Sequence, residues 1–189
     1  LIIDGITKIN YIGSMLHKDR IPISLISALN ASDKKINLNI IGTCLFQDSI
    51  EKIDTKGLVT FRGHISHADA FKEMISEGSA NFIQETKQDS DLFSRGIIPT
   101  KVYEYIGAGR PIISSVATNS DALLMLQKSG LLIKNVITPN EYSSLFKKLA
   151  TKRISISPNL EFIKSLDRKE SNKQMLMLIK SLKNNLEKN

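Results

Sequence analysis

The chain has 189 residues, a net charge of +7, 41% apolar side chains and a single cysteine. That length suits one well-packed domain and not comfortably two. A lone Cys44 excludes an internal disulfide and reads as a small core hydrophobe, and no apolar run nears the roughly 20 residues of a membrane-spanning helix.

Three kinds of target suit a basic chain: nucleic acid, an anionic membrane surface, or phosphorylated substrates. With four Tyr, seven Phe, no Trp and no RNA-binding or helix-turn-helix pattern, nucleic acid is the weakest of them. A basic domain with no such target is the plain alternative. The opening Leu1-Ile2-Ile3-Asp4-Gly5 has no initiating Met and no signal-peptide pattern, so it reads as a chain entered in mid-sequence, in the cytoplasm.

Ile9–Gly13 is a short strand closed by glycine, and Pro22–Leu29 a helix with Leu25, Ile26 and Leu29 on one side. Asn37–Gly42 is the next strand, Gln47–Thr55 a helix or irregular turn, and Leu58–Ile65 a third strand running into the corner at Gly63 and His64. His64 and His67 invite a metal reading. Two histidines with no further ligand nearby are a weak signal, however, and Ser66 with Asp69 reads as a helix N-cap, so no metal site is expected.

The spacing predicts a helix over Ala68–Gly78 with Ala70, Phe71, Met74 and Ile75 inward and Gly78 as its stop, then a strand Ala80–Gln84. Glu85–Gly96 is a polar loop of a length that often carries function. Beyond the Pro99 helix come a strand Arg110–Val116, a helix Asp121–Lys128 stopped at Gly130 and a strand Leu131–Lys134. A helix Pro139–Thr151 follows, with Tyr142, Leu145, Phe146 and Leu149 inward. Strands alternating with helices at these intervals predict an α/β class: a Rossmann-like, doubly wound parallel sheet with helices on both faces. Ligands of such sheets bind at the carboxyl ends of the strands, where Gly13, Gly63 and the 85–101 loop all fall. The expected domain is 1–158. A helical tail, 159–189, carries two apolar patches (Leu160, Phe162, Ile163, Leu166; Met175, Leu176, Leu178, Ile179, Leu182, Leu186) that pack on the domain or on a further one.

The segment Ile98-Pro99-Thr100-Lys101-Val102-Tyr103-Glu104-Tyr105-Ile106-Gly107-Ala108-Gly109-Arg110-Pro111-Ile112-Ile113 carries the most chemistry. A helix entered through Pro99-Thr100 presents unpaired N–H groups and the positive end of its dipole, which favour an anion. Glu104 sits one turn deeper, where a carboxylate can accept both hydroxyls of a vicinal diol such as a ribose. The plain alternative is an acid placed favourably near a helix start.

This segment resembles the signature of the nucleotide-sugar-binding half of GT-B fold glycosyltransferases, particularly the retaining group called glycosyltransferase family 4. The resemblance covers roughly residues 8–150. It implies that Glu104 holds the donor ribose, that Thr100 and Lys101 face the diphosphate, and that Gly63 and His64 contact the nucleobase. It also implies that Gly13, Gly96 and Pro99 belong to the loops around the donor. Arg20 stands where the family has a diphosphate-binding Lys. Two positions depart from the pattern: Ser14 or Met15 stands where an Arg is expected, with Lys18 or Lys101 as substitutes, and Gly96 occupies the place of a sugar-contacting Glu, with Asp89 and Asp91 nearby.

The resemblance therefore implies the C-terminal half of a transferase that moves a sugar from a nucleoside diphosphate to a hydroxyl acceptor. Its partners would be a nucleoside diphosphate sugar as substrate, a glycan or lipid-linked acceptor and a missing N-terminal domain, with no cofactor, no obligatory metal and no nucleic acid. A basic face could rest on an anionic inner membrane leaflet. Two rivals remain: a non-catalytic binding or scaffolding module of the same fold, and a nucleotide-sugar epimerase.

Overall fold

The computed structural model describes residues 2–3, 5–33, 35–85, 95–151 and 154–186. Its first strand, β1 (Ile2–Ile3), pairs antiparallel with the last, β8 (Ile154–Ser155), in a ribbon too short to leave a sequence signal. The six strands between them are the apolar runs seen in the sequence. They are β2 (Lys8–Ile12), β3 (Asn37–Ile41), β4 (Val59–Gly63), β5 (Ser79–Gln84), β6 (Ile112–Ser115) and β7 (Leu132–Asn135). All pair in parallel, in the order β4-β3-β2-β5-β6-β7. Central strands buried on both faces do not alternate apolar with exposed polar residues, and in Asn37–Ile41 and Ile112–Ser115 even the polar Asn39 and Ser114 are buried.

Among the described residues, the helices that cover the sheet are α1 (Ile23–Ala31), α2 (Gln47–Ile53), α3 (His67–Ile75), α4 (Thr100–Ala108), α5 (Asp121–Ser129) and α6 (Pro139–Thr151). α1 packs against α2 and α6 on one face, and α4 against α3 and α5 on the other. Between sheet and α6 runs a file of aromatic rings, Tyr11 to Phe82 to Tyr142 to Phe146, with centroids 6.4, 6.3 and 6.2 Å apart. On the opposite face, buried asparagines tie α3 down. Asn10 Nδ2 donates to the Glu73 carbonyl (2.8 Å) and Asn81 Nδ2 to that of Met74 (3.0 Å), fixing the last turn of α3 over β2 and β5.

The chain reverses its winding between β2 and β5, and this places the site. These strands pair only over Lys8–Asn10, so from Tyr11 onward they part and leave a crevice at their carboxyl ends. The exposed edge of β2 is satisfied from outside the sheet. Tyr105 of α4, fully buried, accepts from the Ile12 N–H (3.1 Å) and donates to the Ile12 carbonyl (3.5 Å).

Several sequence expectations are corrected in detail. α3 ends at Ile75 with Ser76 as its cap, not at Gly78, which turns the chain into β5. Only Ala70 and Met74 of its expected inward face are buried; Phe71 and Ile75 lie on its flank, 38% and 40% exposed. β7 begins one residue later than expected, at Leu132.

In the tail, α7 (Leu160–Ser165) sets Ile163 and Leu166 against the core but leaves Leu160 exposed. α8 (Arg168–Leu186) exposes Met175 through Ile179. Among the described residues no helix is long and apolar enough to cross a membrane.

Candidate functional site

At the carboxyl ends of β2, β3 and β4 the backbone bonds continue past the strands. The Gly13 N–H donates to Ile41 O, that of Gly42 to Gly63 O, and that of Met15 to Thr43 O, each at 2.7 Å. The result is a shelf of peptide groups flanked by glycines. Gly13 is glycine because its φ of 141° is one that other residues rarely adopt, and the Lys101 side chain lies across it. Gly42 (φ 126°) is glycine because a Cβ there would sit 2.6 Å from the Gly13 carbonyl oxygen.

α4 rises from this shelf. Its N-cap is Pro99, which offers no side-chain acceptor; the Val102 N–H turns back to the Pro99 carbonyl (2.9 Å), and the side chain of Pro99 caps neither Thr100 nor Lys101. The helix stops at Gly109 in the left-handed conformation (φ 65°), as expected of a glycine at that place.

Two clefts open on either side of Lys101. The first, about 250 Å³, lies at the parting of β2 and β5, between Tyr11, Ser14, Arg20, Phe82, Gln84, Glu85 and the Pro99-Thr100-Lys101 turn. The second, about 420 Å³, lies between the shelf and α3, bounded by Gly13, Gly42, His64, Ser66, His67, Met74, Lys101 and Glu104. Ile12, Ser14 and Lys101 border both.

Burial pushes the Lys101 ammonium below its usual range; Glu104 one turn on lifts it and Arg20 lowers it further. Burial also raises the Glu85 carboxyl and the Tyr11 phenol, and the Arg20 guanidinium nearby partly offsets both. Arg20 thus stands in the first cleft beside a carboxyl that burial inclines towards its neutral form. In the second, Glu104 is half-exposed and its Oε1 lies 3.5 Å from His67 Nε2.

The structure gathers most of the expected residues. Glu104, Lys101, Gly13 and His64 border the larger cleft, and Arg20, Thr100, Pro99 and again Lys101 the smaller. Gly63 closes β4 with φ 61°, bonded into the shelf beside His64. Gly96 is exposed and does not border either cleft, while Asp89 and Asp91 fall outside the described residues. Of the two residues at the family's Arg position, Ser14 borders both clefts and Met15 is buried.

Ser66 is the N-cap that the sequence indicated, accepting from the Asp69 N–H at 3.1 Å. Among the described residues no group of three or more His, Cys, Asp or Glu could hold a metal. Two residues escaped the sequence reading as site residues, Tyr11 and His67. Glu85 follows directly on β5 and opens the loop that the strand-end rule places at the site.

No protein-family model matches the sequence, and no curated protein does either. Solved structures are similar in fold. Anabaena HepE in complex with UDP-glucose is 14% identical over 75% of this chain (TM-score 0.53), and a mutant of S. aureus TarM in a complex that includes UDP is 12% identical over 79% (0.52). WaaG, a glycosyltransferase involved in lipopolysaccharide biosynthesis, is 16% identical over 76% (0.52). The chain spans 29–38% of the length of these proteins.

The likeness is one of fold: a Rossmann-like α/β domain of the kind found in these GT-B structures.

Proposed function

We propose that this chain is the donor-binding domain of a glycosyltransferase, taking a nucleoside diphosphate sugar and passing the sugar to a hydroxyl acceptor in polysaccharide or glycolipid synthesis. The observation that carries the reading is the meeting of two clefts at Lys101, over the N-terminus of α4 and at the carboxyl ends of β2 and β5. The larger cleft suits a nucleoside: Glu104 accepts the ribose hydroxyls, and the Gly63-His64 corner meets the base. The diphosphate lies across Lys101 and the first N–H groups of α4, and the sugar extends into the smaller cleft past Arg20.

Catalysis by this half is stabilisation of the leaving group. As the bond between the anomeric carbon and the diphosphate oxygen breaks, negative charge grows on that oxygen. The helix N–H groups, Lys101 and Arg20, which border the same cleft, stabilise it. Two fixed cations do the work that a divalent metal would otherwise do, so no metal is required. The acceptor and any base come from an N-terminal domain, without which this chain binds donor but does not turn over; retention of configuration follows from the resemblance. The reading places the protein in the cytoplasm, and the net charge of +7 supports an acceptor presented at an anionic membrane surface.

UDP-bound neighbours such as TarM and HepE support the nucleotide assignment. The exposure of Gly96, outside both clefts, favours a second reading: a module that has kept nucleotide binding and lost transfer. Calorimetric titration of the chain with UDP, GDP, ADP and their sugar conjugates, beside Glu104→Ala, tests the first reading. Binding of one diphosphate should weaken in the variant by about 1.5–3 kcal/mol, roughly ten- to a hundredfold. Equal affinity in both proteins would remove Glu104 from the site. Tight nucleotide binding without transfer or hydrolysis in the full-length protein would favour the second.

A further inference from the structure

The residue opposite Glu104 is His67, the first residue of α3. Its Nε2 lies 3.5 Å from Glu104 Oε1, across the larger cleft that both residues border. Neither residue's own helix requires this approach. Ser66 caps α3 without His67, and the other charge near Glu104 is Lys101, one turn earlier on the same helix.

A half-exposed glutamate has three rotatable bonds and two directions to choose between: back along α4 towards Lys101, or across the cleft. An imidazole N–H on the facing helix favours the second. It uses one lone pair of Oε1, leaving another on Oε1 and both on Oε2 for a diol. It also leaves the Lys101 ammonium for a phosphate. α3 is a firm base for this contact, because Asn10 and Asn81 hold its last turn and the Ser66 cap its first.

We propose that His67 is a positioning residue for Glu104: with its proton on Nε2, it holds the carboxylate across the cleft in the direction that receives the 2′- and 3′-hydroxyls of a ribonucleotide. The proposal rests on the nucleotide reading of the site and adds a determinant of ribose recognition supplied by a different helix. The 3.5 Å separation closes to a direct hydrogen bond when the diol is bound, as contacts in empty sites commonly do.

The test compares UDP, GDP and ADP with their 2′-deoxy counterparts, by calorimetry, on the wild-type chain, His67→Ala and His67→Gln. His67 is largely exposed (its side chain 78%), so neither change should disturb folding, and thermal melts check this. For the nucleotide that binds, the ratio of ribo to deoxy affinity should fall roughly three- to tenfold in His67→Ala, through loss of ribo affinity with deoxy affinity nearly unchanged. It should recover in His67→Gln, whose amide N–H can reach the same oxygen. An unchanged ratio in His67→Ala, or an equal loss for both nucleotides, overturns the positioning role while leaving the nucleotide site standing. Failure of every nucleotide to bind the wild-type chain overturns both.

Discussion

Replacing Tyr105 with Phe removes one oxygen from the centre of the molecule and tests how α4 is fixed to the sheet. The ring stays; Tyr105 is fully buried and a phenyl fills the same space. What is lost is the acceptor for the Ile12 N–H (3.1 Å) and a donor to the Ile12 carbonyl (3.5 Å), at the place where β2 has left β5 and has no ladder partner on that side. Stranding a buried N–H costs about 1–3 kcal/mol. In a chain of this size each kcal/mol lowers the melting temperature by roughly 2–4 °C. Urea unfolding of wild type and Tyr105→Phe should give this difference at the midpoint with an unchanged slope. Because the same contact sets the height of α4 above the shelf, nucleotide affinity should fall with it. Stability equal to wild type within about 0.5 kcal/mol would refute the view that the Tyr105 hydroxyl joins motif helix to sheet, since that is less than an ordinary hydrogen bond contributes.

Lys101→Met should leave stability unchanged or slightly raised, because it relieves a buried ammonium, yet weaken nucleoside diphosphate binding by about 1.5–3 kcal/mol; urea unfolding and calorimetry separate the two effects. Gly42→Ala should destabilise by about 2–4 kcal/mol, combining a strained φ with a Cβ pressed on the Gly13 carbonyl. Gly57→Ala, at φ 63° with open space around it, should cost only about 1–2 kcal/mol in the same assay. Glu141 accepts from the Thr138 and Ile137 N–H groups and the Thr138 hydroxyl, which hold its carboxyl below the usual range. Its contribution is therefore complete above the unfolded value of about 4.3 and disappears as pH falls through the lower folded value. The advantage of wild type over Glu141→Gln in urea unfolding should be present at pH 7 and absent near pH 2.

The sheet was legible because its strands are short runs rich in apolar residues, three of them ended by Gly13, Gly42 and Gly63, and the motif helix because Pro99 and Gly109 mark its start and stop, with Glu104 one turn in. Lys101 and Glu104 could be placed on one site from sequence alone, since a single turn of helix relates them. Strand order could not be read in the same way. Nothing local in Lys8–Ile12 or Ser79–Gln84 says that these strands pair briefly and then part, so Tyr11 joining Arg20 and the start of the 85–101 loop in one cleft was invisible. His67 was hidden for a related reason. Its neighbours Ser66 and Asp69 account for it as part of a helix start, and only the packing of α3 on α4 turns it towards Glu104. Phe71 and Ile75 satisfy helical spacing but sit on the flank, because the sheet beneath α3 accepts only the stripe carrying Ala70 and Met74.

The central claim is that a nucleoside diphosphate binds across Lys101, with its phosphates on the start of α4 and its ribose at Glu104. Amide chemical-shift mapping of the ¹⁵N-labelled chain during titration with UDP, GDP and ADP tests it most directly. The account predicts saturable shifts for one of them at Gly13, His64 and Thr100 through Glu104, with α7 and α8 unmoved. Shifts centred on the tail or on the far edge of β7, or none at these residues with any of the three, would contradict it.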